Sequence, residues 1–362
     1  MTASPPIRLG LTGYGYAGKT FHAPLIRATP GLELAAVTSR DAGKVHADLP
    51  GVRVHETPAA LIADDSLDVV VIATPNDTHA PLAADALRAG RHVVIDKPMA
   101  LNLAEARSLV ALAERSAGQL SVFHNRRWDS DYLAVKQAID EGAVGEVMHF
   151  ESHIDRYRPT VRDRWRESSA PGAGIWYDLG PHLVDQALQL FGLPERVHAA
   201  LAIQRAGGLS DDWAHVRLDY GARQVIVHAS MLAAGGARRF VVHGTRGSLV
   251  KAGADRQEAQ LLAGLSPGAP GWGEDPDPLT VIDAQGHAHT LPLAAGDQRR
   301  YYAALRDAIA SEAPWPVAPI EALAVMAVID AGFASQREGC AVALPLSGAE
   351  RATFATGHDQ SA

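Results

Sequence analysis

The 362-residue sequence contains a single cysteine, Cys340, and no long uninterrupted apolar run. A lone cysteine excludes an internal disulfide and a zinc site built from cysteines, and it is typical of a reducing compartment. No apolar run approaches the roughly 18 residues that suggest a membrane span. The N-terminus also has neither an apolar signal core nor a twin arginine. These absences predict a soluble, cytoplasmic protein without a membrane partner.

Positive charge is also scarce, because 33 lysines and arginines face 41 aspartates and glutamates, for a formal net charge of −8. A general nucleic-acid or anionic-membrane binder needs a basic surface, so the sequence predicts neither partner. Any phosphate group that this protein binds must therefore be held by local groups.

Residues 7–125 alternate strand-like and helix-like segments. Apolar runs such as IRLGLTG, LELAAVT and LDVVVIATP have the composition of parallel strands covered on both faces. Gly90 and Gly118 follow two helical stretches, at positions where C-caps are expected. The alternation predicts an α/β fold whose N-terminal part is a Rossmann domain with a doubly wound parallel sheet.

The pattern changes after residue 125, where short strand-like segments follow one another. In WAHVRLDY, at 213–220, alternate side chains would share one face of a strand. This predicts a C-terminal α+β domain with a large open, mostly antiparallel sheet and one covered face. The predicted domains are therefore residues 1–125 and residues 126–362.

The segment GLTGYGYAGKT places Gly13, Gly15 and Gly18 in G-x-G-x-x-G spacing, between a strand-like and a helix-like segment. Gly13 permits a tight turn, Gly15 lets the backbone approach a pyrophosphate, and Gly18 lets helix and strand pack closely. The helix N-terminus offers N–H groups to the phosphates, and Lys19 could add a positive charge. A plain strand-to-helix turn is the alternative that the surrounding βαβ pattern disfavours.

The second strand-like run ends in Thr38-Ser39-Arg40-Asp41. A site that prefers NAD usually has an acid about 20 residues beyond the glycines, to bind the ribose diol. Ser39 and Arg40 could instead hold the 2′-phosphate of NADP, so we predict NADP as the preferred cofactor, before NAD. A shift of one residue in alignment would make Asp41 the ribose-binding acid and reverse the preference.

Three further stretches carry polar groups where ligands are expected. ATPNDTH and HVVIDKP are strand ends, and ligands of open parallel sheets bind beyond the carboxyl ends of the strands. GIWYDLGPHLVD contains Asp178 and His182 at the start of a helix. Because Pro181 fits only the first turn of a helix, Asp178 is a plausible N-cap.

The glycine loop, ATPNDTH, DKP and YDLGPHLVD together resemble the glucose–fructose oxidoreductase / inositol dehydrogenase / rhizopine-catabolism (Gfo/Idh/MocA) family, over nearly the whole chain. FHAPLI and VFHNRRWDSDY resemble its scyllo-inositol dehydrogenase branch most. The resemblance implies a Rossmann domain that binds NAD or NADP and a second domain whose open sheet makes oligomer contacts. It implies a homodimer or homotetramer that oxidises or reduces a hydroxyl of a sugar or cyclitol.

By the same resemblance, Lys97, Asp178 and His182 match the catalytic residues of the family. The usual E-K-P motif has Asp96 in place of its glutamate here, which leaves Lys97 in position. The chemistry of the residues agrees. An imidazole titrates near neutral pH and suits His182 as the base, while Lys97 would stabilise the developing oxyanion. Asp178 would bind substrate or orient His182.

The remaining candidates fall into two groups. The predicted cofactor-binding residues are Gly13, Gly15, Tyr16, Gly18, Lys19, Ser39, Arg40, Thr74, Pro75, Asn76, His79 and Lys97. Polyols bind through directed hydrogen bonds and an apolar ring face, so the substrate candidates are Asn125, Arg126, Trp128, His153, Arg156, Tyr157 and Trp165. For each substrate candidate, a plain surface or core position is an equal alternative.

No metal site is expected, since a cationic Lys97 would oppose a metal at Asp178 and His182. Two other functions stay open for this fold. One is a glycoside hydrolase that uses bound NAD in an oxidation–elimination cycle. The other is a non-catalytic nucleotide-sensing regulator, which the presence of both Lys97 and His182 disfavours.

Overall fold

A computed structural model describes residues 5–311 and 313–361, with side chains as far as residue 357. The described residues form two compact units. The first unit is drawn from Met1–Asn125, Gln257–Trp272 and Asp297–Leu323, and the second from Arg126–Arg256, Gly273–Gly296 and Ala324–Ala362.

The first unit contains a six-stranded parallel sheet in the order β3-β2-β1-β4-β5-β6, which is the Rossmann order. Aliphatic side chains such as Leu9, Leu11 and Val70 are fully buried in it, as expected for strands covered on both faces. The strands are β1 (Ile7–Thr12), β2 (Leu32–Thr38), β3 (Arg53–His55), β4 (Val69–Ile72), β5 (His92–Asp96) and β6 (Leu120–Phe123).

Helices follow the strands of this unit, and polar side chains begin three of them. Asp41, Thr57 and Asn102 each accept a hydrogen bond from a backbone N–H in the first turn. The helices are α1 (Ala23–Arg27), α2 (Ala42–Asp48), α3 (Pro58–Ile62), α4 (His79–Arg88), α5 (Leu103–Ala113), α8 (Gln257–Leu262) and α9 (Arg299–Ser311).

The two glycines expected as C-caps differ. Gly90 follows α4 with φ of 75°, the left-handed conformation of a helix terminus. Gly118, however, lies well beyond the end of α5, and the C-cap prediction for it is wrong. A Cβ atom on Gly118 would overlap the Arg91 carbonyl oxygen, so glycine is needed there for close backbone approach.

The second unit contains a nine-stranded sheet in the order β14-β13-β12-β11-β7-β10-β9-β8-β15. All neighbours in it are antiparallel except β7 and β10. The strands are β7 (Val147–Asp155), β8 (Arg196–Ala202), β9 (Trp213–Tyr220), β10 (Arg223–Ser230), β11 (Phe240–Gly244), β12 (Gly247–Lys251), β13 (Leu279–Asp283), β14 (Ala288–Leu291) and β15 (Val342–Ala343). The predicted fold class is confirmed.

One face of this sheet is covered by helix. On β9, Ala214, Val216 and Leu218 are buried while the alternate side chains are not, as the sequence predicted. On β7, the Phe150 ring lies 5.2 Å, centroid to centroid, from Phe191 of α7. The helices of this unit are α6 (Ser130–Asp140), α7 (Ile175–Phe191) and α11 (Gly348–Ser361).

The remaining helix, α10 (Pro319–Glu338), is the one described helix that is long and apolar enough to span a membrane. In the structure, 72% of its apolar window is buried. That burial is typical of the core helix of a soluble protein.

Candidate active site

The glycine loop after β1 has the geometry that its spacing predicts. Gly13 has φ of 89°, and a Cβ atom there would lie 2.6 Å from the Ala73 carbonyl oxygen. A Cβ atom on Gly18 would overlap the Gly13 carbonyl oxygen. A Cβ atom on Gly15 would meet no atom within 4 Å. Gly13 and Gly18 are therefore required by the fold, whereas Gly15 borders open space, at the position where dinucleotide-binding loops approach the pyrophosphate.

Helical structure begins directly after Gly15, and Lys19 N donates to the Gly15 carbonyl oxygen at 2.9 Å. The side chains beside the loop already have partners in the same unit. Tyr16 is half-exposed, and its hydroxyl donates to Glu258 at 2.7 Å. The Lys19 ammonium pairs with Asp48 at 2.6 Å, at a largely exposed position. An exposed pair of this kind is weak, so Lys19 can exchange Asp48 for a phosphate at little cost.

Arg40 follows β2, and the register pairs the ends of β1 and β2 through Thr12 and Thr38. Its guanidinium is exposed and has no carboxylate partner among residues 5–311 and 313–361. The Asp41 carboxylate accepts from Lys44 N at 2.9 Å and caps α2. The Ser39 hydroxyl donates to the Asp41 carbonyl oxygen at 3.0 Å. At the end of β2, the Arg40 cation is therefore exposed, while the neighbouring Asp41 carboxylate caps a helix.

His79 ties together the loops that follow β4 and β5. It is fully buried, with Nδ1 2.8 Å from the Pro98 carbonyl oxygen and Nε2 2.9 Å from the Thr74 carbonyl oxygen. Thr74 and Thr78 share a hydroxyl hydrogen bond of 2.6 Å, and Asn76 is buried. His79 therefore links the backbones of these two loops, and its assignment to the cofactor stays a prediction.

Lys97 is half-buried and directly follows Asp96, the last residue of β5. Asp96 belongs to a buried ionic network that sequence reasoning missed. Asp96 lies 3.7 Å from His22 Nε2, and His22 Nδ1 lies 2.6 Å from the Tyr302 hydroxyl. Burial alone would raise the pKa of the Asp96 carboxyl, but His22 and then Lys97 outweigh it and hold that pKa below its usual value. In the sequence, His22 is part of FHAPLI, a segment that supports the family resemblance but does not indicate this network.

Helix α7 begins earlier than the sequence predicts. Its N-cap is Gly174, with φ of 101°, so Asp178 is not the N-cap and Pro181 lies inside the helix. Asp178 N donates to the Gly174 carbonyl oxygen at 3.0 Å. The missing N–H of Pro181 removes one bond of the helical ladder, which the extensive burial of α7 offsets. The early start places Asp178 and His182 one turn apart in regular helix.

The actual cap comes from Asp211, which is distant in sequence. Its carboxylate accepts from Trp176 N at 2.7 Å, and its backbone oxygen accepts from Ile175 N at 2.7 Å. Burial raises the pKa of the Asp211 carboxyl to about 6, although the hydrogen bond from Trp176 favours the ionised form. The position of α7 therefore depends on a carboxyl group that sequence reasoning did not identify.

A polar pocket in the second unit lies at this end of α7. Arg166 Nε is 3.4 Å from Asp178 Oδ1, and the Arg166 guanidinium lies 4.5 Å from the centre of the Trp165 ring. The other lining residues include Arg164, Glu167, Arg205, Asp211 and Asp212. His182, one turn further along α7, is buried. Of the substrate candidates, the structure thus brings Trp165 close to Asp178, through an arginine that was not predicted.

Glu167 holds the segment that carries Arg166. Burial opposes its ionisation, but hydrogen bonds from Arg162 and Arg164 outweigh burial and lower the pKa of Glu167 to about 2. Buried Arg205 adds contacts of 2.9 Å to both Glu167 and Asp212. A network of this kind fixes the pocket wall at neutral pH.

The other substrate candidates have separate surroundings. Arg126 pairs with Asp129 at 2.9 Å, and its neighbour Arg127 binds Asp185 of α7. Asn125 is buried, Trp128 and Arg156 are half-buried, and Tyr157 is 60% exposed. His153 alternates with Phe150 and Ser152 along β7 and lies on the face away from α7. Their assignment to the substrate stays a prediction.

Two family models match this chain. Residues 7–124 match the NAD-binding Rossmann fold of the Gfo/Idh/MocA oxidoreductases, and residues 136–344 match their C-terminal alpha/beta domain. The chain belongs to the Gfo/Idh/MocA oxidoreductase family. It is an enzyme, an NAD(P)-dependent dehydrogenase that acts on CH–OH groups.

Named relatives cover nearly all of the chain. The uncharacterized oxidoreductase YdgJ of Escherichia coli is 51% identical over 94% of this chain and 99% of its own. The scyllo-inositol 2-dehydrogenase (NADP(+)) IolW of Bacillus subtilis is 33% identical, over 92% and 94%.

Solved structures agree with these matches. A crystal structure of a Klebsiella pneumoniae protein has a TM-score of 0.93 and 54% identity, and covers 98% of this chain and 100% of that one. An oxidoreductase from Bacillus cereus has a TM-score of 0.84 and 30% identity, over 94% and 99%.

Proposed function

We propose that the enzyme transfers a hydride between NADP and a secondary hydroxyl of a cyclitol or sugar, with a scyllo-inositol-like polyol as substrate. The observation that carries this proposal is the pocket at the start of α7. There a charged pair, Arg166 and Asp178, lies beside the Trp165 ring. The carboxylate and the guanidinium offer directed hydrogen bonds of the kind that the hydroxyls of a polyol make.

The glycine loop supports a dinucleotide cofactor, because the space above Gly15 is open while Gly13 and Gly18 are fixed by contacts. NADP is favoured over NAD because Arg40 is exposed and unpaired in the described residues, whereas Asp41 caps α2. An arginine binds phosphate through a charge-assisted, often bidentate contact. The relative IolW is named as an NADP(+) enzyme, which agrees with this preference.

When bound, the nicotinamide supplies the hydride acceptor or donor. His182 takes the hydroxyl proton during oxidation, because an imidazole can accept a proton near neutral pH. Lys97 donates a hydrogen bond to the reacting oxygen and stabilises its developing negative charge. Asp178 binds a substrate hydroxyl or orients His182. Arg166 orients the Asp178 carboxylate through a contact of 3.4 Å.

The cellular setting and the assembly of the enzyme extend this proposal. We place the enzyme in the cytoplasm, where its single cysteine stays reduced. We further propose a homodimer or homotetramer that forms through the nine-stranded sheet. The face of that sheet opposite α7 supports this assembly, because it carries partly exposed side chains such as Trp213 and His215 of β9.

The proposal is tested by incubating the purified enzyme with inositols and simple sugars, with NAD and NADP in parallel, and following absorbance of the reduced nicotinamide. The expected result is turnover with a polyol, faster with NADP, and slowed by about 10²- to 10⁴-fold in His182→Ala. Cleavage of a glycoside without net nicotinamide turnover would replace the proposal with the hydrolase reaction. Cofactor binding without turnover of any polyol or glycoside would contradict both.

A further inference from the structure

Histidines cluster on the face of the nine-stranded sheet that points away from α7. The register places His153 of β7 opposite His228 of β10, and His228 opposite His215 of β9. Asp155 follows His153 on the same face of β7. Phe150, which contacts α7, alternates with these residues and points to the other face. The cluster is therefore separate from the pocket at the start of α7.

Three ligand-type atoms converge in this cluster. His153 Nδ1 lies 3.8 Å from one oxygen of Asp155, and His228 Nε2 lies 3.6 Å from the other. The ligand atoms of the three residues all lie within 4.8 Å of one another. The Asp155 side chain is only 4% exposed. His153 Nδ1 and Asp155 Oδ1 are buried and make no hydrogen bond within the described part of the chain.

Each of these residues is oriented by a further contact. His153 Nε2 lies 2.9 Å from the Glu151 carboxylate, and His228 Nδ1 lies 3.3 Å from His215 Nδ1. Asp155 Oδ2 accepts from Ala237 N at 3.2 Å. Histidine ligands of metals usually donate their second ring N–H to a carboxylate or another acceptor, which fixes the tautomer and the ring. The Glu151–His153 pair has that arrangement.

We propose that His153, Asp155 and His228 form a binding site for a divalent transition-metal ion such as Zn²⁺, which nothing in the family resemblance assigns. Two imidazoles and one carboxylate suit zinc, with a fourth position left to water. Zinc–ligand distances of about 2.0–2.1 Å place tetrahedral ligand atoms ~3.4 Å apart, so small side-chain movements close the site. His153 is then a metal ligand in place of a substrate contact.

The charge of the cluster also favours such a site. Asp155 and Glu151 bring two carboxylates to two imidazoles, so a dication finds negative charge there.

The test uses the full-length chain without a histidine tag, in a Cys340→Ser background, because Cys340 is an exposed thiol that could bind zinc itself. Zn²⁺ is titrated by isothermal calorimetry into this parent, Asp155→Asn and His228→Ala. His198→Ala is the matched control, since it removes an exposed histidine of the same sheet. We expect one ion per parent chain, unchanged binding in the control, and binding lost in both ligand variants.

Glu151→Gln sharpens the result, because an outer partner of a metal ligand typically changes affinity by about 10- to 100-fold without abolishing binding. A parent that binds no Zn²⁺ stoichiometrically, or ligand variants that bind like the control, would overturn the proposal. Should a variant fail to fold by circular dichroism, Co²⁺ added to the parent provides an independent readout. An absorption spectrum without the bands of nitrogen- and oxygen-ligated Co²⁺ would equally reject the site. Neither readout depends on the proposed redox reaction.

Discussion

The glycine loop and the start of α7 are both expected to bind ligands, but they are built in different ways. In the loop, backbone atoms form the site, and the space around each glycine shows whether a side chain could be accommodated there. At the start of α7, side chains from separate segments make the site, since Asp211 caps the helix and Arg166 contacts Asp178. A backbone site can therefore be read from local spacing, whereas a side-chain site depends on partners that only folding brings together.

The largest effects are expected for the proposed reaction groups. General acid–base groups typically contribute about 10²- to 10⁴-fold to rate, so His182→Ala and Lys97→Ala should each lower kcat by about that factor. NADP affinity should stay nearly unchanged, which steady-state kinetics and fluorescence titration would establish. The double variant should lose less than the product of the two factors, because both groups act on one hydroxyl. A single variant with near-wild-type kcat would remove that residue from the mechanism.

The glycines of the loop allow a matched pair of substitutions that separates binding from folding. Gly15→Val adds a side chain in open space, so the fold should survive while NADP binding is lost. Gly18→Ala forces a Cβ atom against the Gly13 carbonyl oxygen, and such overpacking typically costs about 1–3 kcal/mol of stability. Calorimetric NADP titration and thermal unfolding measure the two effects. Unaltered NADP affinity in folded Gly15→Val would refute a backbone-built site.

A smaller effect is expected for Arg40, the side chain that we propose completes the cofactor site. Loss of a charge-assisted contact should cost about 1.5–3 kcal/mol, or roughly 10- to 150-fold in affinity. Arg40→Ala should therefore weaken NADP by that factor and leave NAD almost unaffected, as competitive binding measurements can show. Asp41→Asn is the control, because an amide oxygen can still cap α2. Tighter binding of NAD than of NADP by the wild type would contradict the preference.

The last effect concerns the cap of α7 and appears as a gradual pH dependence. Because the folded-state pKa of Asp211 is about 6 against an ordinary value of 3.8, the folded chain binds more protons than the unfolded chain between these values. Wild-type stability should therefore fall as the pH rises from about 4 to about 6, by at most about 3 kcal/mol at about 1.4 kcal/mol per unit.

Asp211→Asn keeps an oxygen acceptor for Trp176 N but cannot ionise. Urea unfolding at several pH values gives the free energy of unfolding of both proteins. As the pH rises from about 4 to about 6, the wild type should lose stability relative to this variant. Asp163→Asn, at an exposed position of the same unit, serves as the control. A difference that stays constant from pH 4 to pH 7 would show that Asp211 does not control the helix in this way.

Much of the fold could be predicted from the sequence because its elements depend on local patterns. β2 has the predicted bounds, since LELAAVT is a continuous apolar run between turns. The start of α7 differs from the prediction because Pro181 lies inside the helix, where tertiary burial overrides the local rule that places proline in the first turn. Gly118 differs from its prediction for a similar reason, because glycine is required there by contact with the Arg91 backbone on another segment.

By itself, the sequence determined the strand and helix alternation, the dinucleotide loop and the identity of the family, because these are carried by contiguous residues with fixed spacing. Only the tertiary structure decided what surrounds the chemical groups: Arg166 beside Asp178, His22 and Tyr302 behind Asp96, and the convergence of His153, Asp155 and His228. The physical reason is that charge, burial and ligand geometry act over a few ångströms in space. Residues that are distant in sequence meet at those distances only once the strands are paired and the helices are packed.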